Sequence, residues 1–489
     1  MSKRNILIMI VCWACALAMT ACSHTPEHPD VIIFVADDLG WHDVGYHGSE
    51  IRTPNIDSLA RKGIVLEHFY AYPVCSPTRT ALMTGRSAIS LGIVRPINAV
   101  TEGGLPLDER ILPQVFKDAG YQTFMCGKWH LGASHVKYFP HNRGFDHFYG
   151  HLGGFLDYYD HVFTGGLDWQ RNGKSVREEG YTTELIANEA VRLLHGRDKS
   201  KPTLLYVAFN APHLPLQAPQ SYIDKYADIK DEARRTYAAM VDAMDAAIGK
   251  ILAAVDEEGM TKDTFVIFFS DNGGARRAGS NEPLRGGKGT VFEGGIRLPA
   301  VMWWPGVLEG GRQWDQFITV HDLLPTLAAA IHTEVGNTKP LYGDNLWPAL
   351  RDLKIVPRKD IIIGGGRNFA VFHGEWKLVR AVARGQSGPT TYLFRIREDP
   401  DEKNNLAAEN PDLVKQLEAE IDAFPKGKPL GGPPPGARAR GRRPAGARPR
   451  QAGQQARRSR PGPGGQPPDG DSAGGPETRQ PWAEAASRE

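Results

Sequence analysis

Short apolar segments alternate with helical patterns from residue 31 to about residue 330. Three of these segments, at residues 31–36, 204–209 and 265–269, are apolar at odd and even positions alike, which is typical of parallel strands that are buried on both faces. Residues 122–126 form a fourth, weaker apolar segment. Between them, residues 182–195 and 234–255 carry apolar side chains at helical spacing. This alternation predicts an α/β fold with a large mixed, mostly parallel sheet sandwiched by helices.

A different pattern begins near residue 340, where strand-like segments follow one another without intervening helices. These segments are residues 360–364, 370–373, 376–379 and 391–394. A helical pattern over residues 410–424 follows them. We therefore expect a large domain over residues 30–335 and a smaller C-terminal antiparallel sheet plus helix over residues 340–425.

The first 22 residues have the features of an export signal. Lys3 and Arg4 precede an uncharged apolar stretch at residues 6–21, which is shorter than the roughly 20 residues that cross a bilayer and is typical of a signal peptide. A small residue before Cys22 is typical of a bacterial lipoprotein, in which Cys22 is lipidated. Plain secretion and a retained N-terminal anchor are the alternatives. We expect an exported protein, in the periplasm or held at the outer membrane of a bacterium only through an N-terminal lipid anchor.

The charge of the chain is unevenly distributed. The formal net charge is +2, from 58 basic and 56 acidic residues, and this balance favours no nucleic-acid partner. Residues 429–489 contain eleven Arg and five acidic residues among Pro, Gly, Ala and Gln. A segment with so few apolar side chains cannot offset its chain entropy by burial, so we expect a disordered tail. Outside the signal, Cys75 and Cys126 are the cysteines of the chain, too few for a disulfide scaffold.

Polar side chains follow each of the four apolar segments. They are Asp37 and Asp38, Lys128 and His130, His213, and Asp271 and Asn272. Because ligands of open α/β sheets gather at the carboxyl ends of the strands, we expect these side chains at one edge of the sheet. Either acidic pair alone is typical of a turn or a helix cap. Two pairs at two strand ends favour a site for a hard divalent cation such as Ca²⁺ or Mg²⁺.

The segment Cys75-Ser-Pro-Thr-Arg79 begins a predicted helix that ends before Gly85. Ser76 is a suitable N-cap and Pro77 a suitable first helical residue. Cys75 then lies at the positive end of the helix, where a developing negative charge is stabilised. The alternative is that Cys75 is a small buried hydrophobic residue.

Taken together, these motifs resemble the type I sulfatases of the alkaline-phosphatase superfamily. The resemblance covers residues 30–424, and the order of its motifs is that of the arylsulfatase B-like branch. Besides CSPTR and TGR, the motifs are DDLGWHDVGYHG, GKWHLG, RGFDHFYG, APH, SDNGG, LRGGKGTVFEGGIRLP and DPDEKNNL. The resemblance implies an alkaline-phosphatase-like catalytic domain over residues 30–335 that hydrolyses sulfate monoesters.

The same resemblance implies that Cys75 is converted to formylglycine (3-oxoalanine) by a formylglycine-generating or anaerobic maturation enzyme. It implies one Ca²⁺ held by Asp37, Asp38, Asp271, Asn272 and an oxygen of modified Cys75. Arg79 is expected to hold the hydrated aldehyde, with sulfate surrounded by Lys128, His130, His213 and Lys288. In the implied mechanism Asp271 is the base for attack on sulfur. The leaving alcohol takes a proton from His213 or Lys288, and His130 accepts one from the second hydroxyl.

Substrate choice depends on residues 150–161, which we expect at the mouth of the pocket. Arylsulfatase B-like enzymes have a substrate-contacting polar residue where this chain has Phe155. Aromatic and polar side chains together suit a sugar ring, so we expect a sulfated carbohydrate or an aryl sulfate. Two alternatives use the same fold: a phosphonate monoester hydrolase or phosphodiesterase, and a non-catalytic binding protein.

Overall fold

The computed structural model describes residues 28–98, 101–163, 165–336, 339–383 and 385–430. The predicted export signal with Cys22 lies outside the described residues. The predicted tail does so too, apart from its first two residues.

A ten-stranded sheet forms the centre of the large domain, within the described ranges. In chain order the strands of this domain are β1 (Asp30–Ala36), β2 (Ile64–Tyr70), β3 (Gln122–Lys128), β4 (His147–His151), β5 (Val162–Phe163), β6 (Gly166–Leu167), β7 (Gln170–Arg171), β8 (Lys174–Ser175), β9 (Thr203–Ala208), β10 (Thr264–Ser270), β11 (Ala300–Trp303) and β12 (Arg312–Thr319). Strands β5 and β6 form a separate hairpin, and the sheet order is β12-β2-β11-β10-β1-β9-β3-β4-β7-β8.

The centre of this sheet is parallel, over β10, β1, β9, β3 and β4. Antiparallel pairs join β11 to β10 and to β2, and β7 to β4 and to β8. Consecutive residues of β1, from Val31 to Ala36, are all buried, so both faces of the strand are covered. Each such Val, Ile or Phe stabilises the fold by about 1.5–3 kcal/mol. The predicted mixed, mostly parallel sheet is confirmed.

Helices cover the sheet and connect its strands. In chain order they are α1 (Pro54–Lys62), α2 (Cys75–Thr84), α3 (Leu112–Asp118), α4 (Thr182–His195), α5 (Gln220–Ile223), α6 (Glu232–Glu257), α7 (Glu293–Ile296), α8 (Leu323–Ala330), α9 (Trp347–Arg351) and α10 (Pro411–Ala423). Over the part of the chain that the structure describes, none of them has the length and apolarity that crossing a bilayer requires.

A four-stranded antiparallel sheet follows the large domain, as predicted. Its strands, in chain and spatial order, are β13 (Ile361–Gly365), β14 (Asn368–His373), β15 (Trp376–Ala381) and β16 (Thr390–Arg395). Leu417 and Ile421 of α10 are buried. The small sheet packs on the large domain: the rings of Phe372 and Tyr70 lie 4.6 Å apart. Lys377 Nζ from β15 contacts Glu293 of α7 at 2.7 Å, so the lysine connects the small sheet to the large domain.

Candidate active site

The carboxyl ends of β1 and β10 bring the two predicted acidic pairs together. These strands are parallel neighbours in which Ala36 is paired with Ser270, so the residues that follow them emerge side by side. Asn272 Nδ2 donates to Asp38 Oδ1 at 2.8 Å. Asp38 has a φ of 70°, a left-handed conformation that is uncommon outside glycine. The turn after β1 therefore directs Asp38 toward the end of β10.

Helix α2 begins at Cys75 itself, two residues earlier than a Ser76 cap with Pro77 as the first helical residue requires. Val74 is the N-cap residue, and Gly85 ends the helix with a φ of 63°. The predicted capping role of Ser76 is therefore wrong, because Ser76 already lies in the first turn. Its hydroxyl instead donates to the carbonyl oxygen of His130 at 2.9 Å and accepts from the amide of Ile97 at 3.0 Å. Ser76 thus connects α2 to two loops of the site.

The Cys75 side chain is buried at the centre of the site. Burial raises the pKa of this thiol to about 12, although Lys128 and Lys288 favour the thiolate. The positive end of the helix therefore does not produce a reactive thiolate in the unmodified chain. Any nucleophilic role of residue 75 depends on a change in its chemistry.

Arg79 and Asp271 form a fully buried ion pair. Arg79 Nη2 and Nε lie 2.8 and 3.1 Å from Asp271 Oδ2, and Arg79 Nη1 donates to the carbonyl oxygen of Lys128 at 2.8 Å. Burial, then the charge of Asp37, raises the pKa of Asp271 to about 6, although Arg79 opposes this shift. Arg79 therefore holds together the ends of β3 and β10 next to Cys75.

Two lysines contact the acidic residues from opposite sides. Lys128 Nζ lies 2.5 Å from Asp37 Oδ2. Lys288 Nζ lies 2.5 Å from Asp38 Oδ1 and 3.8 Å from Cys75 Sγ. Burial opposes ionisation of Asp37, but Lys128, Arg79 and the other nearby cationic groups together outweigh burial and lower the pKa of Asp37. The site is therefore rich in charge and closely balanced between cations and carboxylates.

A glycine-rich loop carries Lys288 into the site. The amide of Lys288 donates to the carbonyl oxygen of Gly274 at 3.2 Å, and the amide of Gly289 donates to that of Pro73 at 2.8 Å. The second contact ties the loop to the residues just before α2. The two backbone hydrogen bonds fix the loop so that Lys288, which is partly buried, points toward Asp38.

Two histidines complete the predicted set. His213 Nε2 lies 3.7 Å from Asp38 Oδ2, and its Nδ1 is 2.8 Å from the carbonyl oxygen of Leu214, an arrangement in which Nδ1 carries the proton. His130 is buried, and its Nδ1 has no hydrogen-bond partner among the described residues. Burial lowers the pKa of both rings, so each is neutral near neutral pH and able to accept a proton.

One buried histidine beside the site was not among the predicted residues. His151 ends β4, where it is paired with Lys128 of β3. Within the described ranges, neither of its ring nitrogens has a hydrogen-bond partner. Burial, then the charge of Lys128, lowers its pKa well below the usual range. The signal available in the sequence was its position directly after the RGFDHFYG motif, at the end of a further strand.

The oxygen donors of the site fit a hard divalent cation. Asp37 Oδ1 and Asn272 Oδ1 are buried and lack a hydrogen-bond partner in the part of the chain that the structure describes. Ligand-capable atoms of Asp37, Asp38, Cys75 and His213 lie within 4.8 Å of one another. Buried oxygens without partners are costly unless a cation satisfies them. Asp271 lies outside this group of four and contributes its Oδ2 to Arg79.

This arrangement agrees with the family to which the sequence is similar. The Sulfatase family model matches residues 29–333. The chain belongs to the sulfatase family. Arylsulfatase J of Mus musculus is 34% identical over 455 residues, with 82% of this chain and 76% of the relative covered. N-acetylgalactosamine-6-sulfatase of Homo sapiens is 33% identical over 382 residues, covering 73% and 72%. The predicted family, and its sulfatase class of enzyme, are confirmed.

Solved structures agree with the type I sulfatase fold. The crystal structure of Ps i-CgsB in complex with k-i-k-neocarrahexaose matches with a TM-score of 0.77 and 33% identity, over 82% of this chain and 94% of that chain. The phosphonate monoester hydrolase of Agrobacterium radiobacter matches with a TM-score of 0.59 and 20% identity. The second likeness shows a shared fold alone.

The mouth of the sulfatase site has exposed apolar side chains. Phe155 is 45% exposed, and its ring lies nearly parallel to that of His213, with centroids 5.8 Å apart and an angle of 17°. Leu214, which directly follows His213, is 37% exposed. Gly154 passes so close to the His130 ring that an added Cβ would lie 2.8 Å from it. The predicted loop over residues 150–161 thus borders both histidines.

Proposed function

We propose that this sulfatase cleaves sulfate monoesters of carbohydrates with formylglycine at residue 75 and one bound Ca²⁺. The observation that carries the proposal is the grouping of Asp37, Asp38, Cys75 and His213 within 4.8 Å. This grouping supports the binding of a cation next to the side chain of Cys75, the residue that is to be modified. Two buried, unpartnered oxygens, on Asp37 and Asn272, give the same indication.

Asp37, Asp38, Asp271, Asn272 and modified Cys75 are the proposed ligands of the metal. When bound, Ca²⁺ supplies positive charge that stabilises the negative oxygens of a sulfate ester. Formylglycine at residue 75 supplies a hydrated aldehyde whose hydroxyl is the nucleophile. Other residues of the chain hold these groups in position and balance their charge. Arg79 fixes Asp271 through the buried ion pair, so that the carboxylate keeps one orientation beside residue 75.

Lysine and histidine side chains act on the substrate itself. Lys128 and Lys288 oppose the negative charge of the sulfate oxygens, and the buried site strengthens this effect. Burial disfavours the ammonium of Lys288, but Cys75, Asp38 and Asp37 outweigh burial and raise its pKa. The lysine is therefore protonated at neutral pH.

The two histidines have different proton-transfer roles in this proposal. His213 lies under the exposed Phe155 ring, on the side from which an alcohol leaves, and donates the proton that the alcohol needs. The negative charge of a bound sulfate ester favours its protonated form. His130 is deeper, and its free Nδ1 accepts a proton from residue 75.

The apolar mouth supports a sugar as substrate. Phe155, stacked on His213, and Leu214, directly after His213, offer partly exposed apolar surface next to polar groups, which suits a ring with one apolar face and several hydroxyls. A relative with 33% identity was solved with k-i-k-neocarrahexaose, and another is named N-acetylgalactosamine-6-sulfatase. These names support a sulfated carbohydrate for this chain.

Two measurements on the purified protein test the proposal. After co-expression with a maturation enzyme, the peptide containing residue 75 should be about 18 Da lighter than its Cys form. The protein should then hydrolyse nitrophenyl sulfate faster than phenyl phosphonate. A Cys75 peptide of unchanged mass in a fully active protein, or a preference for the phosphonate, would contradict the proposed function.

The export route is part of the same proposal. A signal over residues 1–22 delivers the protein to the periplasm, and lipidation of Cys22 anchors it to the outer membrane. Cys22→Ser should release the protein from the membrane fraction without changing its activity. A wild-type protein found in the soluble fraction would exclude the lipid anchor.

A further inference from the structure

A cleft of about 290 Å³ lies between the start of α2, the Lys288 loop and the C-terminal sheet. Its size is at the lower end of the range for ligand pockets. Val74, Gly289, Arg95 and Arg367 are among the residues that line it. None of these residues has a role in the mechanism above.

The cleft adjoins the active site through residues next to its central groups. Val74 directly precedes Cys75, and Gly289 directly follows Lys288. The segment that carries Arg95 is held at the site by Ser76, whose hydroxyl contacts both Ile97 and His130. Because consecutive Cα atoms are about 3.8 Å apart, the wall of the cleft begins about one residue's length from Cys75 and from Lys288.

The charge of the cleft is positive. Among the described residues that line it, none is acidic. Arg95 and Arg367 are both exposed. Arg95 has no hydrogen bond or ion pair within the described residues, and Arg367 Nη2 donates to the carbonyl oxygen of Ser387 at 2.8 Å. Most guanidinium donors of the pair are therefore free to bind the oxygens of an anion.

The walls of the cleft are held in place before any ligand binds. Gly365 allows the C-terminal sheet to approach the Arg95 segment, because an added Cβ would lie 2.7 Å from Val94 Cβ. Pro73, Pro77 and Pro96 also line the cleft, and the proline ring restricts the backbone. A preformed wall lowers the entropy cost of ligand binding.

We propose that this cleft binds a second anionic group, a sulfate or a carboxylate, on the same glycan whose sulfate ester is cleaved at residue 75. This inference rests on the proposed function, because it takes the glycan as substrate. Arg95 and Arg367 are its specificity-determining residues. A guanidinium group can bind two oxygens of a sulfate or of a carboxylate in a bidentate arrangement, so it suits both kinds of anion. The enzyme then binds polyanionic glycans more tightly than singly sulfated small molecules.

The test compares two double variants that remove the same charge. Arg95→Ala/Arg367→Ala removes both cationic side chains from the lining of the cleft. Arg61→Ala/Arg351→Ala removes two exposed arginines elsewhere and is the matched control. Binding of a dextran sulfate hexasaccharide is measured by calorimetry, with uncharged dextran and oligogalacturonate as further probes. Dextran sulfate and oligogalacturonate distinguish a sulfate-binding cleft from a carboxylate-binding one.

The cleft variant should bind at least one of the two polyanions about tenfold or more weakly than the wild type. The control variant should remain within about twofold, and Arg95→Lys/Arg367→Lys should recover part of the loss. An unchanged Kd for both polyanions in the cleft variant would overturn the proposal, and so would an equal loss in the control.

Measurements of activity distinguish a failure of the cleft proposal from a failure of the proposed function. Neither Arg95 nor Arg367 belongs to the catalytic group, so hydrolysis of nitrophenyl sulfate by the cleft variant should stay within about twofold of wild type, since this ester has a single anionic group. A protein that hydrolyses no sulfate ester would contradict the proposed function, while the binding comparison would still decide whether the cleft binds anions.

Discussion

Lys288 Nζ lies 2.5 Å from Asp38 Oδ1, although 250 residues separate the two in sequence. The contact joins the glycine-rich loop to the end of β1 and brings the lysine to 3.8 Å from Cys75 Sγ. A cation and a carboxylate are thereby held in a mostly buried site, where each compensates the charge of the other. Loss of either one leaves the other with an unbalanced charge next to residue 75.

Asp38→Ala is expected to abolish turnover while the protein remains folded. Asp38 is a proposed metal ligand, and loss of several kcal/mol of charge stabilisation corresponds to about a thousandfold in rate. Turnover, calcium binding by calorimetry and circular dichroism measure the three properties. Asp108→Ala is the control, because Asp108 is an exposed surface carboxylate that contacts Lys339. Full activity of Asp38→Ala, or full activity after exhaustive chelation, would exclude this metal site.

Cys75→Ser is expected to react once with an aryl sulfate and then stop. Serine has one hydroxyl, so it can attack sulfur but leaves no second hydroxyl from which His130 can accept a proton. Intact mass spectrometry should find a stable adduct about 80 Da heavier than the variant, with a burst equal to the enzyme concentration. Cys126→Ser, at the other buried free cysteine, should keep turning over. Sustained turnover by Cys75→Ser would mean that residue 75 is not the nucleophile.

Phe155→Ala is expected to raise KM for a sulfated sugar by about two- to tenfold with little change in kcat, because a packed ring contributes about 0.5–1.5 kcal/mol beyond burial. Phe155→Tyr should behave like the wild type. Ile355→Ala removes another exposed apolar side chain and should have no effect. Steady-state kinetics separate the two constants. A fall in kcat alone would indicate that Phe155 acts by positioning His213 and not by contacting the sugar.

The buried Lys377 cluster predicts a pH dependence of stability. Lys377 Nζ lies 2.7 Å from Glu293 and 2.8 Å from Glu402. Burial, and then the charge of Glu293, raise the pKa of Glu402 from 4.5 to about 7, although Lys377 opposes the shift. Between these values the folded protein keeps a proton that the unfolded chain has released, so the free energy of unfolding falls as pH rises from about 4.5 to about 7.

Urea unfolding at a series of pH values measures this dependence. Glu402→Gln removes the titrating group and should flatten the fall in unfolding free energy across that interval. Glu409→Gln changes an exposed carboxyl on the same segment and should leave the profile unchanged. An identical profile for wild type and Glu402→Gln would mean that Glu402 is ionised throughout.

Much of the fold was predictable because its information is local. A strand that is buried on both faces must be apolar at every position, and β1 and β10 have that pattern. Asp37 and Asp271 directly follow these strands, so the ends of the strands determine where the two residues lie. The Ser76 prediction failed because capping depends on where a helix begins, and the contacts of Ser76 to Ile97 and His130 decide its role in this protein.

The sequence by itself determined the parallel sheet and the family, and it supplied the candidate site residues, because periodicity and short motifs are properties of neighbouring residues. Only the tertiary structure decided which of these residues meet. Lys288 reaches Asp38, Phe155 lies over His213, and Arg95 lies in one cleft with Arg367. Such contacts depend on strand register and on the paths of loops across the edge of the sheet, and neither is encoded in the local pattern of a single segment.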